Sequence, residues 1–221
     1  ASKSLTVAEE SVGTNIGLAA PSDVDGNSLT ITVSGLPTLG AITLANGTLI
    51  TNGQSLSSSE LTGLKYNGPA DYNGTDAVGS FTYTVNDGQG QANSQVTGTV
   101  SLTVTPLNDA PVAQSKSLTV NEESVGTDLG LAAPTDADGN SLTITVSSLP
   151  TLGAITLVDG SAIALGQSLS SAQLTGLKYT APADYNGIDV VGNFGYTVND
   201  NQGQANSVVS GSVTLAVTPI N

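Results

Sequence analysis

The sequence predicts an all-β protein made of two tandem β-sandwich domains joined end to end. Residues 2–7 recur at 115–120, and the same offset of 113 residues relates the rest of the two halves without a gap. In each copy, apolar residues alternate with polar ones, and Asp-Gly or Asn-Gly pairs separate the alternating runs. A repeat of this length with strand patterning is a whole domain, so we expect domains at 1–108 and 109–221.

The alternation locates the strands of the first copy, because a strand with one buried face and one wet face has a period of two. Residues 46–64 allow no safe strand assignment. Ser57 and Glu60 have capping-box spacing, with Gln173 at the Glu position in the second copy, which predicts one helical turn at most. Strands are expected around Leu5 and Val7; Leu29, Ile31 and Val33; Phe81, Tyr83 and Val85; and Val100, Leu102 and Val104.

The segment between the copies is a short, stiff connector. Pro106 and Pro111 lie within residues 105–112, and each proline fixes its own φ and lacks a backbone donor. The acidic residues on either side of this connector are therefore expected to stay near one another.

Composition narrows the possible partners. The chain has 4 Lys or Arg residues against 18 Asp or Glu residues, for a net charge of −14, which argues against nucleic acid and anionic membranes. It has no Cys, so disulfides and thiolate metal sites are excluded. No apolar run approaches the roughly 20 residues of a membrane span, and no signal pattern opens the chain. We therefore expect the chain to be a fragment of a larger protein.

Most of the acids lie in four turns of each copy. Counting strands forward from the start and backward from the connector places the first and third turns at the end where the last strand leaves. It places the second and fourth turns at the opposite end. In chain order, the turns carry Glu9 and Glu10; Asp23 and Asp25; Asp71 and Asp76; and Asp87; their counterparts are Glu122 and Glu123; Asp136 and Asp138; Asp184 and Asp189; and Asp200.

The count brings the end of copy one, the connector and the start of copy two to a single junction. Carboxylates this close repel by up to about 1 kcal/mol per pair even in water, so a cation is expected to neutralise them. Ca²⁺ tolerates irregular all-oxygen ligand sets better than Mg²⁺, whereas zinc and copper favour His or Cys. The candidate junction acids are Glu9, Glu10, Asp71, Asp76, Asp109, Asp136, Asp138 and Asp200, with Asn108 as an amide ligand.

The outer ends are expected to form half sites. Asp23, Asp25 and Asp87 lie at one outer end, and Glu122, Glu123 and Asp184 lie at the other. A single Asp-x-Asp-Gly-Asn motif is also an ordinary turn sequence, and it does not fit an EF-hand. Only the convergence of several turns at one end favours Ca²⁺.

The combined motifs resemble bacterial cadherin-like tandem repeats from the extender regions of large RTX-type adhesins exported by type I secretion. They are Asp-x-Asp-Gly-Asn at 23–27 and 136–140, Ala-Asp-Tyr-Asn-Gly at 70–74 and 183–187, Tyr-Thr-Val-Asn-Asp at 83–87 and 196–200, and Asn-Asp-Ala-Pro at 108–111. The resemblance implies immunoglobulin-like, cadherin-like Greek-key sandwiches with Ca²⁺ at the junction, in a monomeric fragment of a secreted protein that lies outside the bacterial cell, at its surface. It implies as ligands Glu9 or Glu10, Asp71, Asn108, Asp109, Asp136, Asp138 and Asp200. Residues 71–73 (Asp-Tyr-Asn) depart from the Asp-Arg-Glu motif of animal cadherins.

The sequence argues against an enzyme, because it has no His, no Cys, no Gly-x-Ser-x-Gly and no Gly-rich loop leading into a helix. Two functional classes remain. In the first, the repeats are spacers that Ca²⁺ stiffens, projecting a distal adhesive domain for surface attachment or biofilm formation. In the second, a repeat itself binds a carbohydrate or protein partner. The second class predicts an aromatic or apolar patch on one repeat only.

Overall fold

The computed structural model describes residues 2–74, 77–187 and 190–220. The chain divides into two compact units, Ala1–Leu107 and Asn108–Asn221, which are called repeat 1 and repeat 2 below. Nearly all regular structure in both repeats is β, arranged as two sheets per repeat, which confirms the predicted class of tandem β-sandwiches.

Repeat 1 contains a five-stranded and a three-stranded sheet. Consecutive strands alternate between the two sheets, except that the last two strands both lie in the larger sheet. Strands that are not consecutive in sequence therefore become neighbours. The order is β1-β8-β7-β3-β5 in the larger sheet and β2-β6-β4 in the smaller. The elements are β1 (Ser2–Ala8), β2 (Thr14–Asn15), β3 (Thr30–Gly35), β4 (Ala41–Thr43), β5 (Ser55–Leu56), α1 (Ser58–Thr62), β6 (Lys65–Asn67), β7 (Ala77–Asn86) and β8 (Gln95–Thr105).

Repeat 2 has the same plan. Its sheets run β13-β11-β15-β16-β9 and β10-β14-β12. The elements are β9 (Ser115–Asn121), β10 (Thr127–Asp128), β11 (Thr143–Ser148), β12 (Ala154–Thr156), β13 (Ser168–Leu169), α2 (Ser171–Thr175), β14 (Lys178–Thr180), β15 (Val190–Asn199) and β16 (Val208–Thr218).

The first and last strands of each repeat run parallel. In repeat 1, β1 pairs with β8 and places Val7 opposite Val104, and the Glu9 N–H then donates to the Thr105 carbonyl at 2.9 Å. In repeat 2, β9 pairs with β16 in the same way. Parallel strands finish at the same end of a sheet. The turn after β1 therefore lies beside the exit of β8, as the strand count predicted.

The core of each repeat follows the predicted alternation. Ile31 and Val33 of β3 are buried, as are Phe81 and Tyr83 of β7, whose rings stack with centroids 5.6 Å apart. The Tyr83 ring lies on Gly98 of β8, where an added Cβ would come within 2.3 Å of it. Glycine at this position is needed to seat the tyrosine. Burying side chains of this size contributes about 1.5–3 kcal/mol each, so these faces hold the two sheets together.

Both short helices begin with the predicted capping box. Ser57 Oγ accepts from the Glu60 N–H at 3.2 Å, and the Ser57 N–H donates to Glu60 Oε2 at 2.7 Å. Ser170 and Gln173 repeat the pattern in α2. Each helix has five residues, and among the described residues no helix is long and apolar enough to cross a membrane.

Ser57→Ala should destabilise repeat 1 by about 1 kcal/mol, because it removes the Ser57 hydroxyl, which accepts from the Glu60 N–H and donates to Glu60 Oε2 at 2.7 Å. Chemical denaturation of the full chain measures the effect. Ser58→Ala is the matched control, since the exposed Ser58 occupies the first helical position and caps nothing. An equal loss from both variants would contradict the capping role.

Candidate metal centre

The end of repeat 1 at which β8 exits is organised around a buried glutamate. Glu9 is 2% exposed, and its two carboxylate oxygens accept from the backbone N–H groups of Tyr72 and Leu107. One carboxylate thus connects the turn after β1, the loop after β6 and the last residue of the repeat. Each oxygen keeps a second lone pair with which it can bind a cation.

Glu10 and Asp71 extend this end with two exposed carboxylates. An oxygen of Glu10 lies within 4.8 Å of an oxygen of Asp71. Both residues have positive φ, 56° at Glu10 and 51° at Asp71, a conformation that costs non-glycine residues roughly 1 kcal/mol or more. The Glu10 N–H donates to the Pro69 carbonyl at 2.9 Å, which holds the two turns together. The acids are thus held close despite their repulsion.

The loop that carries Asp71 is anchored by Tyr72. The Tyr72 ring packs against the core of repeat 1 and covers Gly74, where an added Cβ would lie 2.5 Å from the hydroxyl oxygen. Tyr185 and Gly187 make the same arrangement in repeat 2. The tyrosines therefore fix the loops. Asp76 and Asp189, which the sequence places in these loops, lie outside the described residues.

The opposite end of repeat 1 carries Asp23, Asp25 and Asp87, which the sequence predicts as an outer half site. Asp23 Oδ1 accepts from the N–H groups of Asp25 (2.9 Å) and Asn27 (3.1 Å). Gln89, whose N–H donates to Asp87 Oδ1, also donates through its side chain to Asn27 Oδ1 at 3.3 Å. The two acidic turns are thereby connected, as the strand count predicted.

Repeat 2 shows this same end with the connector in place. Asn108 Nδ2 donates to Asp200 Oδ2 at 2.7 Å and more weakly to Asn206 Oδ1 at 3.3 Å. The Asp109 N–H donates to Asp138 Oδ2 at 2.7 Å, and one carboxylate oxygen of Asp109 lies within 4.8 Å of one of Asp138. The connector residues are therefore hydrogen-bonded to the acidic turns of repeat 2.

Asp136 carries a buried carboxylate oxygen with no donor. Its Oδ1 accepts from the Asn140 N–H at 3.1 Å, but Oδ2 is buried and, among the described residues, has no hydrogen-bond partner. Burying a charged oxygen without a donor is costly unless a cation or water satisfies it. This atom is therefore a candidate metal ligand on energetic grounds.

Asp200 is held in its charged form. It is 1% exposed, and burial alone would raise its pKa. Hydrogen bonds from the Asn108 side chain, the Gln202 N–H and the Ser207 hydroxyl outweigh that effect and lower the pKa below its ordinary value. A buried carboxylate that stays ionised adds negative charge to this end of repeat 2.

The far end of repeat 2 repeats the arrangement found around Glu9. Glu122 Oε2 accepts from the Tyr185 N–H and Oε1 from the Ile220 N–H, each at 2.6 Å. Glu123 and Asp184 have positive φ of 61° and 53°. The predicted outer half site thus has the same local geometry as the corresponding end of repeat 1.

Lysines do not neutralise these acids to any large extent. Lys3 donates to the Gly17 carbonyl at 2.7 Å, and Lys116 donates to the Gly130 carbonyl at 3.1 Å. Lys178 pairs at 2.7 Å with Asp128, an acid outside the four turns. Three of the chain's four basic residues are therefore engaged elsewhere.

Sequence reasoning missed the amide residues that surround the acids. Asn206 donates to the Asn108 carbonyl, and Gln202 donates to Asn140 Oδ1 at 2.9 Å. Gln202, Asn206 and Ser207 have identical counterparts at Gln89, Asn93 and Ser94, so retention in both copies was the available signal.

Comparison with known proteins gives a family for both repeats. Residues 1–103 and 108–215 each match the family model described as bacterial Ig domain, while no curated protein matches the chain. Human mucin-like protocadherin EC1-2 is similar at 17% identity and a TM-score of 0.42, over 99% of this chain and 97% of that one. Mouse cadherin-23 EC22-24 is similar at 17% identity and 0.40, over 99% and 63%.

An endo-fucoidan hydrolase of glycoside hydrolase family 107 is also similar, at 18% identity and a TM-score of 0.33. It is covered over 28% of its length by the whole of this chain. The chain thus spans less than two thirds of both the hydrolase and the cadherin-23 fragment.

Proposed function

Because the chain belongs to the bacterial Ig domain family and carries two of its domains in tandem, we propose that it is a pair of Ca²⁺-rigidified extender repeats. In this proposal the repeats belong to a cell-surface adhesin of a bacterium, exported by type I secretion. They lie outside the cell and project a distal adhesive domain for surface attachment or biofilm formation. They have no catalytic role.

The observation that carries the proposal concerns the two connector residues Leu107 and Asn108. Inside repeat 1, the Leu107 N–H donates to Glu9; inside repeat 2, the Asn108 side chain donates to Asp200. These two residues are joined by one peptide bond. Each repeat therefore binds its own side of that bond with an acidic cluster, and Ca²⁺ would stiffen the connector by binding oxygens from both.

The available donors suit a hard cation. The proposed ligands are carboxylate and amide oxygens, and Ca²⁺ takes 6–8 oxygens in flexible geometry. The buried Asp136 Oδ2, which no described residue hydrogen-bonds, would be satisfied by a bound cation. The proposed set is Glu9, Glu10, Asp71, Asn108, Asp109, Asp136, Asp138 and Asp200. Asp23, Asp25, Asp87, Glu122, Glu123 and Asp184 form weaker outer sites.

The rigidity of the connector would then depend on whether the chain lies inside or outside the cell. Extracellular modules bind Ca²⁺ with Kd on the order of 10⁻⁴–10⁻³ M, so millimolar Ca²⁺ outside the cell would fill the site. At the low Ca²⁺ concentration inside the cell the site would stay empty, and its carboxylates would repel one another. A hinged connector before export and a stiff one afterwards follow from this difference.

The test is small-angle scattering combined with thermal unfolding of the full chain, in millimolar Ca²⁺ and in excess EDTA. Ca²⁺ at about ten times Kd should stabilise by about 1.4 kcal/mol per site and narrow the distance distribution. Mg²⁺ at equal concentration is the control and should do neither. Unchanged shape and melting temperature on adding Ca²⁺ would refute the proposal.

The alternative function is a module that itself binds a carbohydrate or protein partner. It requires an apolar or aromatic patch on one repeat and not on the other. One observation bears on it, a groove on repeat 1 between residues 18–22 and strands β7 and β8, whose lining includes Leu18, Val85 and Asp87.

A further inference from the structure

The chain contains five Asn-Gly pairs, whose asparagines are Asn46, Asn52, Asn67, Asn73 and Asn186. In such a pair the glycine nitrogen can attack Cγ of the asparagine side chain, because glycine has no Cβ to obstruct the approach. Ammonia leaves, a succinimide forms, and water then opens the ring to aspartate or isoaspartate. Asparagine is a thermolabile residue for this reason. The surroundings of each glycine N–H decide how readily its pair reacts.

In three of the pairs the glycine N–H is fixed in a backbone hydrogen bond. The N–H to carbonyl distances are 2.8–2.9 Å, from Gly47 to Leu44, from Gly53 to Val33 and from Gly68 to Ser11. Two of the side chains are engaged as well. Asn46 Oδ1 accepts from the Thr48 N–H at 3.0 Å, and Asn67 Oδ1 accepts from the Gly13 N–H at 2.6 Å. These nitrogens must lose a hydrogen bond before they can attack, which slows the reaction.

The pairs at 73–74 and 186–187 lack that restraint. Asn73 and Asn186 are exposed, and neither Gly74 nor Gly187 donates its N–H to a described residue. Asn186 Nδ2 donates to the Asp184 carbonyl at 3.3 Å, a long hydrogen bond that restrains the side-chain amide only weakly. In these two pairs the glycine nitrogen is therefore available to the neighbouring Cγ.

The fold requires the glycine of these pairs, as repeat 2 shows. The Tyr185 ring packs against the core, and a Cβ added at Gly187 would lie 2.5 Å from its hydroxyl oxygen. The Tyr185 N–H donates to Glu122 at 2.6 Å, which fixes the backbone immediately before Asn186. A larger residue at 187 would displace the tyrosine. The reactive glycine is thus a consequence of how the loop is anchored.

We propose that Asn73 and Asn186 are the residues at which this chain deamidates spontaneously, and that the reaction adds a carboxylate to each loop. The glycine nitrogen loses its proton and bonds to Cγ, the side-chain nitrogen leaves as ammonia, and one water molecule opens the imide. The new acid is ionised at neutral pH. It lies two residues after Asp71 in one loop and two residues after Asp184 in the other. The modification itself does not depend on cation binding.

The first experiment incubates the folded full chain at mildly alkaline pH in excess EDTA and follows each pair by peptide mass spectrometry. Trypsin cleaves after lysine, so Asn186 is the only Asn-Gly asparagine in the peptide 179–221. Asn73 and Asn186 should convert about tenfold faster than the other three, the factor expected for one backbone hydrogen bond. In denaturant, where those hydrogen bonds are lost, all five pairs should react at similar rates.

The second experiment uses glutamine variants, since glutamine keeps the amide but forms the cyclic imide far more slowly. The double variant Asn73→Gln and Asn186→Gln should lose the rapid acidic shift that isoelectric focusing detects in the unaltered chain during the incubation. Asn46→Gln is the matched control and should keep that shift, because the Gly47 N–H is held by Leu44. Circular dichroism before incubation checks that each variant is folded.

Equal rates at all five pairs in the folded chain would overturn the proposal, since the hydrogen bonds would then have no influence. Faster conversion at Asn46, Asn52 or Asn67 than at Asn186 would do so too. A third contrary result is an acidic shift that survives in the double variant. All measurements run in EDTA, so a chain that fails to bind Ca²⁺ would still deamidate as expected, and the two proposals fail separately.

Discussion

Asp136→Asn removes most of the Ca²⁺ response of the chain and leaves repeat 2 at least as stable as before in EDTA. The amide oxygen of Asn keeps the acceptor for the Asn140 N–H, so the turn is preserved. The buried Oδ2, which lacks a hydrogen-bond partner among the described residues, is replaced by an uncharged group. Removing one negative charge from a cluster relieves repulsion of up to about 1 kcal/mol per close pair.

The two conditions therefore give opposite results for this variant. In EDTA the melting temperature of repeat 2 should stay constant or rise. In Ca²⁺ the affinity measured by calorimetry should fall about tenfold or more, equivalent to about 1.4 kcal/mol, because a charged ligand is lost. An acid with only a structural role would produce a loss in EDTA as well.

Asp23→Asn is the matched control, because Asp23 occupies the same turn of repeat 1 and accepts from the Asn27 N–H in the same way. The proposed outer half site binds weakly, so this change should leave the main calorimetric transition intact. Equal losses of Ca²⁺ affinity in the two variants would contradict the proposed difference between central and outer sites.

The grouping of acids at the ends of each repeat was predictable from sequence, because counting strands along the chain shows at which end of the sandwich each turn lies. The alternation of apolar and polar residues predicts where the strands run, and the turn residues predict where they end. The strand count gives β1 and β8 the same direction, but it does not predict that the two strands pair, which places Glu9 beside Leu107. Pairing partners depend on which strands meet in space, which a period-two pattern does not encode.

Other features of the candidate site depend on atomic geometry that the sequence does not contain. The positive φ of Glu10 and Asp71 has no sequence signal, since neither is a glycine. The sequence does not distinguish Glu9 from Glu10 as a ligand, whereas the structure places them differently. Glu9 is buried and hydrogen-bonded to two loops, and Glu10 is exposed beside Asp71.

Glu9→Ala should destabilise repeat 1 by about 3 kcal/mol, since two backbone N–H groups, those of Tyr72 and Leu107, lose a charged acceptor worth about 1.5–3 kcal/mol each. Part of that cost is recovered where water reaches the N–H groups. Glu122→Ala removes the equivalent contacts with Tyr185 and Ile220 and should destabilise repeat 2 by a similar amount. Hydrogen exchange of core amides in each repeat, measured in EDTA, follows the two losses separately.

The response of each variant to Ca²⁺ then distinguishes the structural role of these glutamates from a metal-binding role. Glu9 belongs to the proposed central site, so Glu9→Ala should abolish most of the Ca²⁺-dependent narrowing of the scattering distance distribution. Glu122 belongs to an outer half site, so its variant should keep that response although its repeat is equally weakened. If both variants responded to Ca²⁺ like the unaltered chain, Glu9 would be a structural carboxylate only, and the cation would have to be held by Glu10 and Asp71 on the repeat 1 side.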